Sequence, residues 1–305
     1  MALTAVILLV GRWTYGFAFK SASDRSKDPY QLPPGKQYEY FKKDIHDSVA
    51  RLEQVPCEWI NIKSVDGLNL AGRYYHKRDN GPVILFFHGY RSPALRDFSG
   101  GFWIYYNKGY NILMVDQRGH GQSEGDVITL GIRERHDCLE WVKYCEQRFG
   151  TDTPLLVGGI SMGAATVLMA AELLQDCKSV KGLLADCGYS SVEGIMKSVI
   201  KTMKLPVELS WWLVKWSAKL YGGFDVEESS AKSSLQNNRI PVIFIHGEED
   251  RYVPSYMSYE NAQACKGPKE VFLVPKAGHG MSFYMDKEGY DRTVVTFVEK
   301  LLKEV

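Results

Sequence analysis

From residue 56 onward the chain alternates short apolar runs with longer, one-sided amphipathic stretches. Residues 57–63 and 68–76 flank Asp66-Gly67, and an Asp-Gly joint between two such segments predicts a β-hairpin. Residues 82–88, 110–115, 155–160, 180–185, 241–246 and 270–274 are mainly apolar runs, the first of them rich in β-branched and aromatic residues. Runs of that kind predict strands covered on both faces. Helical spacing fills the intervals 130–150, 162–175, 253–265 and 289–303. Strands separated by helices predict an α/β fold. A mainly parallel sheet is flanked by helices, with the opening hairpin antiparallel at one edge.

One interval breaks this rhythm. Residues 189–239 hold no strand pattern, carry Trp211, Trp212 and Trp216, and end in a polar, serine-rich run. They predict a helical cap inserted into a core made of residues 28–188 and 240–305. The N-terminal stretch, residues 1–27, is apolar from Ala2 to Val10 and continues so to Phe19 around Arg12. It admits three readings: a membrane anchor, a helix packed on the domain, or a signal peptide ending near Ser21-Ala22-Ser23. The prolines at 29, 33 and 34 then predict an arm laid along a surface.

Charge changes this picture little. Lys plus Arg number 37 and Asp plus Glu 36, so the near-zero balance supplies no general field for nucleic acid. The six cysteines form no CxxC pair and no zinc spacing with histidine. They read as reduced core residues, and neither metal nor cofactor is expected.

The candidate chemistry centres on Gly159-x-Ser161-x-Gly163, directly after an apolar strand and directly before an apolar helix. A serine at such a sharp turn projects its hydroxyl above the sheet edge, beside a helix N-terminus. A serine hydroxyl needs a base to become a nucleophile at neutral pH. His279, in the small-residue loop Ala277-Gly278-His279-Gly280, is the expected base, with His120 as a rival. His88 and His246 end strands and read as structural. Asp250, after the strand at 241–246, is the expected acid that orients the histidine, with Asp186 a variant alternative. Glu248 and Glu249 lie earlier in the same turn and are expected to face water. A developing oxyanion needs N–H donors, and the backbone groups of Met162 and Tyr90 are placed to supply them. Asp116–Ser123 (DQRGHGQS) reads as a hydrogen-bonded supporting turn.

With these motifs in hand, the chain resembles the α/β-hydrolase-fold serine hydrolases, in particular the Bem46-like and serine-aminopeptidase-like branches. The matching segments are HGY at 88–90, DQRGHGQS at 116–123, GISMG at 159–163, HGEEDRYVP at 246–254 and AGHG at 277–280. The resemblance implies Ser161 as nucleophile, Asp250 as acid, His279 as base, and Tyr90 and Met162 as oxyanion donors. The loop after His88 lacks the extended glycine run of many lipases, and the N-terminal fifty or so residues have no counterpart in the shared motifs.

The expected activity is hydrolysis of a small-molecule carboxylic ester through an acyl-enzyme. The alternatives are an amidase or peptidase with the same triad, and a binding protein on the hydrolase fold. Tyr189, Met196, Trp211, Trp212, Trp216 and Phe283 are the expected pocket residues. Glu193 and Glu208 would read a substrate terminus in the peptidase alternative. The expected location is a membrane, anchored through residues 2–19, or the cytoplasm.

Overall fold

The computed structural model describes residues 2–21 and 28–303. Ala22 and Ser23 of the signal-peptide reading lie outside the described residues. The strands are β1 (Glu58–Lys63), β2 (Asn69–Tyr75), β3 (Val83–Phe87), β4 (Asn111–Val115), β5 (Leu155–Ile160), β6 (Val180–Asp186), β7 (Val242–Gly247) and β8 (Lys269–Val274). The helices are α1 (Ala2–Phe19), α2 (Lys36–Tyr40), α3 (Lys42–Glu53), α4 (Ala94–Phe98), α5 (Phe102–Tyr106), α6 (Glu134–Phe149) and α7 (Met162–Ala170). They continue as α8 (Val192–Thr202), α9 (Val207–Ser217), α10 (Ala231–Leu235), α11 (Tyr256–Ala264), α12 (Ser282–Met285) and α13 (Lys287–Lys303).

The strands form one 8-stranded sheet in the order β1-β2-β4-β3-β5-β6-β7-β8. β1 and β2 pair antiparallel, as does β2 with β4, and every later pair is parallel. β3 and β4 are buried at every residue, which explains their unbroken apolar sequence, whereas the edge strands β1 and β8 alternate or lie exposed. The chain passes from β3 to β4 on one side and then crosses to β5 on the other. The loops after β3 and β5 therefore diverge at the switch point, where open α/β sheets form their crevice.

The 116–123 turn packs against the loop after β3, where the Arg91 N–H donates to His120 Nε2 at 2.9 Å. Asp116 accepts from the Gln122 N–H at 3.0 Å, and the Ser123 hydroxyl donates to the Asp116 carbonyl. Arg118 extends from it into the interior. Its Nε and Nη2 donate to Asp137 at 2.6 and 2.7 Å, and its outer nitrogens reach Asp66 at 2.9 and 3.1 Å. This ties the first hairpin to α6.

Between β6 and β7 the chain forms α8, α9, a π-helical turn (Ala218–Gly222) and α10. α1 lies on this helical excursion. A side chain at Gly11 would overlap the Trp216 ring, so glycine is what allows the close approach. Tyr15 packs near Tyr221, and Phe19 meets Phe224 edge-on with centroids 5.2 Å apart. Tyr15, Ala18 and Phe19 belong to the main core, and the Ile128 N–H donates to the Phe19 carbonyl at 2.7 Å. No helix among the described residues is long and apolar enough to cross a membrane.

Removing one partner from a buried ion pair leaves an uncompensated charge. Arg118→Ala should therefore destabilise the fold by about 3–5 kcal/mol, read as an earlier urea midpoint. A midpoint equal to the parent's would show that the Asp66–Arg118–Asp137 tie contributes nothing.

Candidate active site

Ser161 sits at φ 55°, ψ −117°, between β5 and α7. This left-handed geometry is costly for a residue with a Cβ. The surroundings impose it: a Cβ on Gly163 would overlap the Phe87 carbonyl oxygen, and one on Gly159 would overlap the Gly163 backbone. The Ser161 N–H donates to the Asp186 carbonyl at 2.8 Å, pinning the turn to β6.

The structure brings three of the expected residues into one hydrogen-bonded line. Ser161 Oγ lies 2.9 Å from His279 Nε2, and His279 Nδ1 lies 2.7 Å from Asp250 Oδ2. With the ring proton on Nδ1, the histidine donates to the carboxylate and accepts from the serine. Asp250 is buried, and its Oδ1 accepts from the backbone N–H groups of Tyr252 and Val253, both at 2.9 Å. His246, at the end of β7, lies 3.2 Å from Asp250 Oδ2 and is itself fixed by Ser258 at 2.7 Å.

Burial works against the charge on Asp250, yet the charge of His279 and the bonds from both imidazoles outweigh it and hold the carboxyl well below its ordinary range. Burial would likewise lower His279, but the charge and hydrogen bond of Asp250 prevail and raise its pKa above the ordinary histidine value.

The rivals are engaged elsewhere. His120 accepts from the Arg91 N–H at 2.9 Å, and its Nδ1 faces the Arg118 carbonyl at 3.0 Å. His88 accepts from the Gln117 N–H at 3.0 Å. Asp186 accepts from the Tyr290 and Ser282 hydroxyls at 3.1 and 3.3 Å, and burial pushes it up to about 6. Glu248 and Glu249 are exposed.

The backbone N–H groups of Tyr90 and Met162 find no acceptor among the described residues. Asp97 shapes the first of these. Its carboxylate accepts from the Gly89 N–H at 2.8 Å and from the Ser92 hydroxyl, which fixes the loop after β3. Cys187 Sγ, Asp250 and His279 place ligand atoms within 4.8 Å of one another. Asp250 and His279 already satisfy each other there, and burial pushes the Cys187 thiol well up, away from the thiolate a metal would need.

Ser161 and His279 open onto a cleft of about 350 Å³. Its walls are Pro33, Pro34, Tyr38, Tyr90, Ile160 and Tyr252, with Arg96 and Asp97 at one side. The N-terminal arm thus supplies a wall that sequence reasoning assigned to the cap. It also holds the histidine loop. Gln37 Nε2 donates to the Lys276 carbonyl at 2.6 Å, its Oε1 accepts from the Gly278 N–H at 2.7 Å, and the Tyr38 hydroxyl donates to the His279 carbonyl at 3.0 Å. The prolines marked the arm in the sequence, but nothing there signalled its partners.

The expected pocket residues from the cap lie away from this cleft. Trp211 is buried in the core cluster, and Met196 packs against it. Trp212 is exposed and stacks on Trp216 with centroids 6.0 Å apart. The Tyr189 hydroxyl donates to the Leu130 carbonyl at 2.9 Å in the interior. Glu193 and Glu208 both pair with Lys197, at 3.0 and 2.9 Å. Phe283 lines an adjoining cavity of about 50 Å³ that shares Asp97, Ile160 and Gly280 with the cleft.

Residues 96–305 match the prolyl oligopeptidase family. The Bacillus subtilis protein YqkD is 26% identical over 261 residues, covering 84% of each chain. The protein bem46 of Schizosaccharomyces pombe is 23% identical over 226 residues, covering 71% of this chain and 67% of its own. Among solved structures, the Pyrococcus furiosus esterase Pf2001 superposes with a TM-score of 0.65 at 22% identity, covering 92% of this chain and 99% of its own. Est1E from Butyrivibrio proteoclasticus, solved with ferulic acid bound, gives 0.63 at 18% identity, covering 80% and 99%. The chain belongs to the prolyl oligopeptidase family and is a Bem46-like hydrolase of the α/β-hydrolase fold.

Proposed function

We propose that this hydrolase cleaves carboxylic esters through an acyl-enzyme on Ser161. The observation that carries the reading is the hydrogen-bonded line Ser161–His279–Asp250 at a strained turn, with the Tyr90 and Met162 N–H groups, which have no acceptor among the described residues, available to donate to a charged oxygen. His279 Nε2 takes the hydroxyl proton as Ser161 Oγ attacks the ester carbonyl. The N–H groups of Met162 and Tyr90 hold the oxyanion as it forms. The C–O bond to the leaving alcohol then breaks, and His279 returns its proton to that oxygen. A water, deprotonated by the same nitrogen, attacks the acyl carbon and releases the acid and free Ser161. Asp250 stays ionised throughout and stabilises the imidazolium. The scheme needs no metal or cofactor. The aromatic and proline walls favour an uncharged acyl or aryl group of modest size. The family match favours a second reading, a peptidase or amidase acting through the same residues.

A fluorophosphonate probe tests the nucleophile. The parent should label and Ser161→Ala should not, with kcat on an aryl ester falling about 10⁴-fold or more. Equal labelling of both would sink the proposal. Matched aryl esters and amides sort the two readings: faster amide turnover would favour the peptidase.

The base must be neutral to accept a proton, so activity is lost as pH falls through the raised pKa of His279. The acid limb of kcat/KM should therefore centre above about 6.5, the ordinary histidine value. Asp250→Asn removes the charge that raises it, so the midpoint should move down while kcat/KM drops about 10⁴-fold. A midpoint that stays put would disprove the electrostatic role of Asp250.

Gln37 acts through the loop bearing His279. Gln37→Ala should lower kcat by up to about 100-fold through misplacement of the base, with KM little changed. Gln37→Glu, which retains the acceptor for Gly278 but loses the donor to Lys276, should fall between the two. A rise in KM alone would instead make Gln37 only part of the cleft wall.

A further inference from the structure

We propose that the outer face shared by α1 and α9 docks the protein on an anionic lipid surface. α1 is apolar on two opposite sides. Gly11, Tyr15, Ala18 and Phe19 face the protein, whereas Val6, Leu9, Val10, Trp13 and Phe17 recur at helical spacing on the outside. Leu9 is 69% exposed and Trp13 64%, values too large for side chains covered within this chain. α9 repeats the arrangement. Trp211 and Val214 point inward, while Leu209 and Trp212 are 65% and 52% exposed. The two elements meet at several points, with the Tyr221 hydroxyl on the Leu8 carbonyl at 2.8 Å, Gly11 on Trp216, Tyr15 near Tyr221 and Phe19 against Phe224. α1 packs directly on α9, so the exposed apolar residues of the two helices lie on neighbouring elements of one surface.

Charge selects the occupant. α1 contains no acidic residue. Lys201, Lys204 and Lys219 are exposed and form no ion pair among the described residues, whereas Lys197 and Lys215 are paired to Glu208 and Glu227. An apolar face with tryptophans, on the same run of helices as these exposed lysines, complements anionic headgroups above an apolar interior. A spanning mode is not available to α1, whose inner face is packed on α9.

The same helix reaches the cleft. The Tyr90 hydroxyl donates to the Ala18 carbonyl at 3.0 Å, and Arg91 Nη2 donates to the Phe17 and Lys20 carbonyls at 3.1 and 2.6 Å. Docking through α1 thus sets the loop beside Ser161 near the lipid surface. Resting on the esterase reading, this points to amphiphilic esters drawn from a bilayer as substrates.

Flotation with vesicles tests the docking without relying on catalysis. The full chain should float with phosphatidylcholine vesicles containing phosphatidylglycerol, less with phosphatidylcholine alone, and less as salt rises. The double variant Leu9→Asp/Trp13→Asp and the single variant Leu209→Asp should each lose more than about tenfold in partitioning. Lys201→Glu/Lys204→Glu should lose a similar factor on the anionic vesicles only. Hydrolysis of a soluble aryl ester by these variants should equal the parent's, which shows that they fold and separates failure of docking from failure of the esterase reading. A parent chain that does not float overturns the proposal. So does a parent that sediments as a dimer without binding vesicles and becomes monomeric in the Leu209→Asp variant, because the occupant is then a second copy.

Discussion

The turn at Ser161 exists because two missing side chains let three backbones touch. Gly163 lies against the end of β3, and Gly159 lies against the first turn of α7. β3, β5 and α7 are therefore locked together at the sheet edge, and the loop after β3 can only run beside Ser161. Holding Ser161 at φ 55° costs on the order of 1–3 kcal/mol. The parallel ladder of β5 with β3 and β6 supplies the restraint, along with the bond from the Ser161 N–H to β6. The strand order thus has a chemical consequence. Placing β3 and β5 side by side brings the loop after β3 beside Ser161, so that Gly89, Tyr90 and Ser161 line the same cleft.

A buried carboxylate sets the other half of the site. Desolvation of Asp250 would be unfavourable if its oxygens had no donors. Two backbone N–H groups take one oxygen, and two imidazoles crowd the other. His246 belongs to this arrangement as a support, since it is anchored by Ser258 and the Val253 carbonyl. Close packing makes the geometry rigid. A Cβ on Gly247 would overlap the Ala277 carbonyl, so the end of β7 seats the loop that carries His279. Gln37 and Tyr38 close the same loop from the outside, leaving the imidazole little freedom except along the line between serine and aspartate.

What was legible in the sequence followed from local physics. The buried strands announced themselves because both faces are covered, and the hairpin because Asp66-Gly67 can turn only one way. Ser161, His279 and Asp250 each stood at a strand end next to glycine or a turn, where position along the chain nearly determines position in the fold. Long-range partnerships were not legible. Gln37 bonds to residues more than 200 positions away, and no pattern near it encodes Lys276 or Gly278. Trp211, Trp212 and Trp216 show the same limit. Their helical spacing is real, but spacing alone does not say whether a face meets a cleft, a core or another helix, and here Trp216 meets Gly11. Helix ends were also blurred. The stretch 162–175 is apolar throughout, yet α7 ends at Ala170, where the chain tightens into i to i−3 bonds such as Leu173 N–H to the Ala170 carbonyl.

The N-terminal run shows why apolarity alone is ambiguous. A helix apolar on all sides satisfies the pattern of a buried helix and of a membrane segment equally well. The distinction lies in Trp216, Tyr221 and Phe224, some two hundred positions later, which take one side of α1 and leave the other uncovered. Arg12, which interrupts the run in the sequence, lies over the rings of Tyr15 and Tyr221, so its charge is accommodated at the edge of that contact. The last turn of α1 then gives its carbonyls to Tyr90 and Arg91, on the loop that Asp97 holds beside Ser161. The surface that α1 meets and the orientation of that loop are consequently one mechanical problem. Displacing α1 would break the hydrogen bonds that Tyr90 and Arg91 make to its last carbonyls.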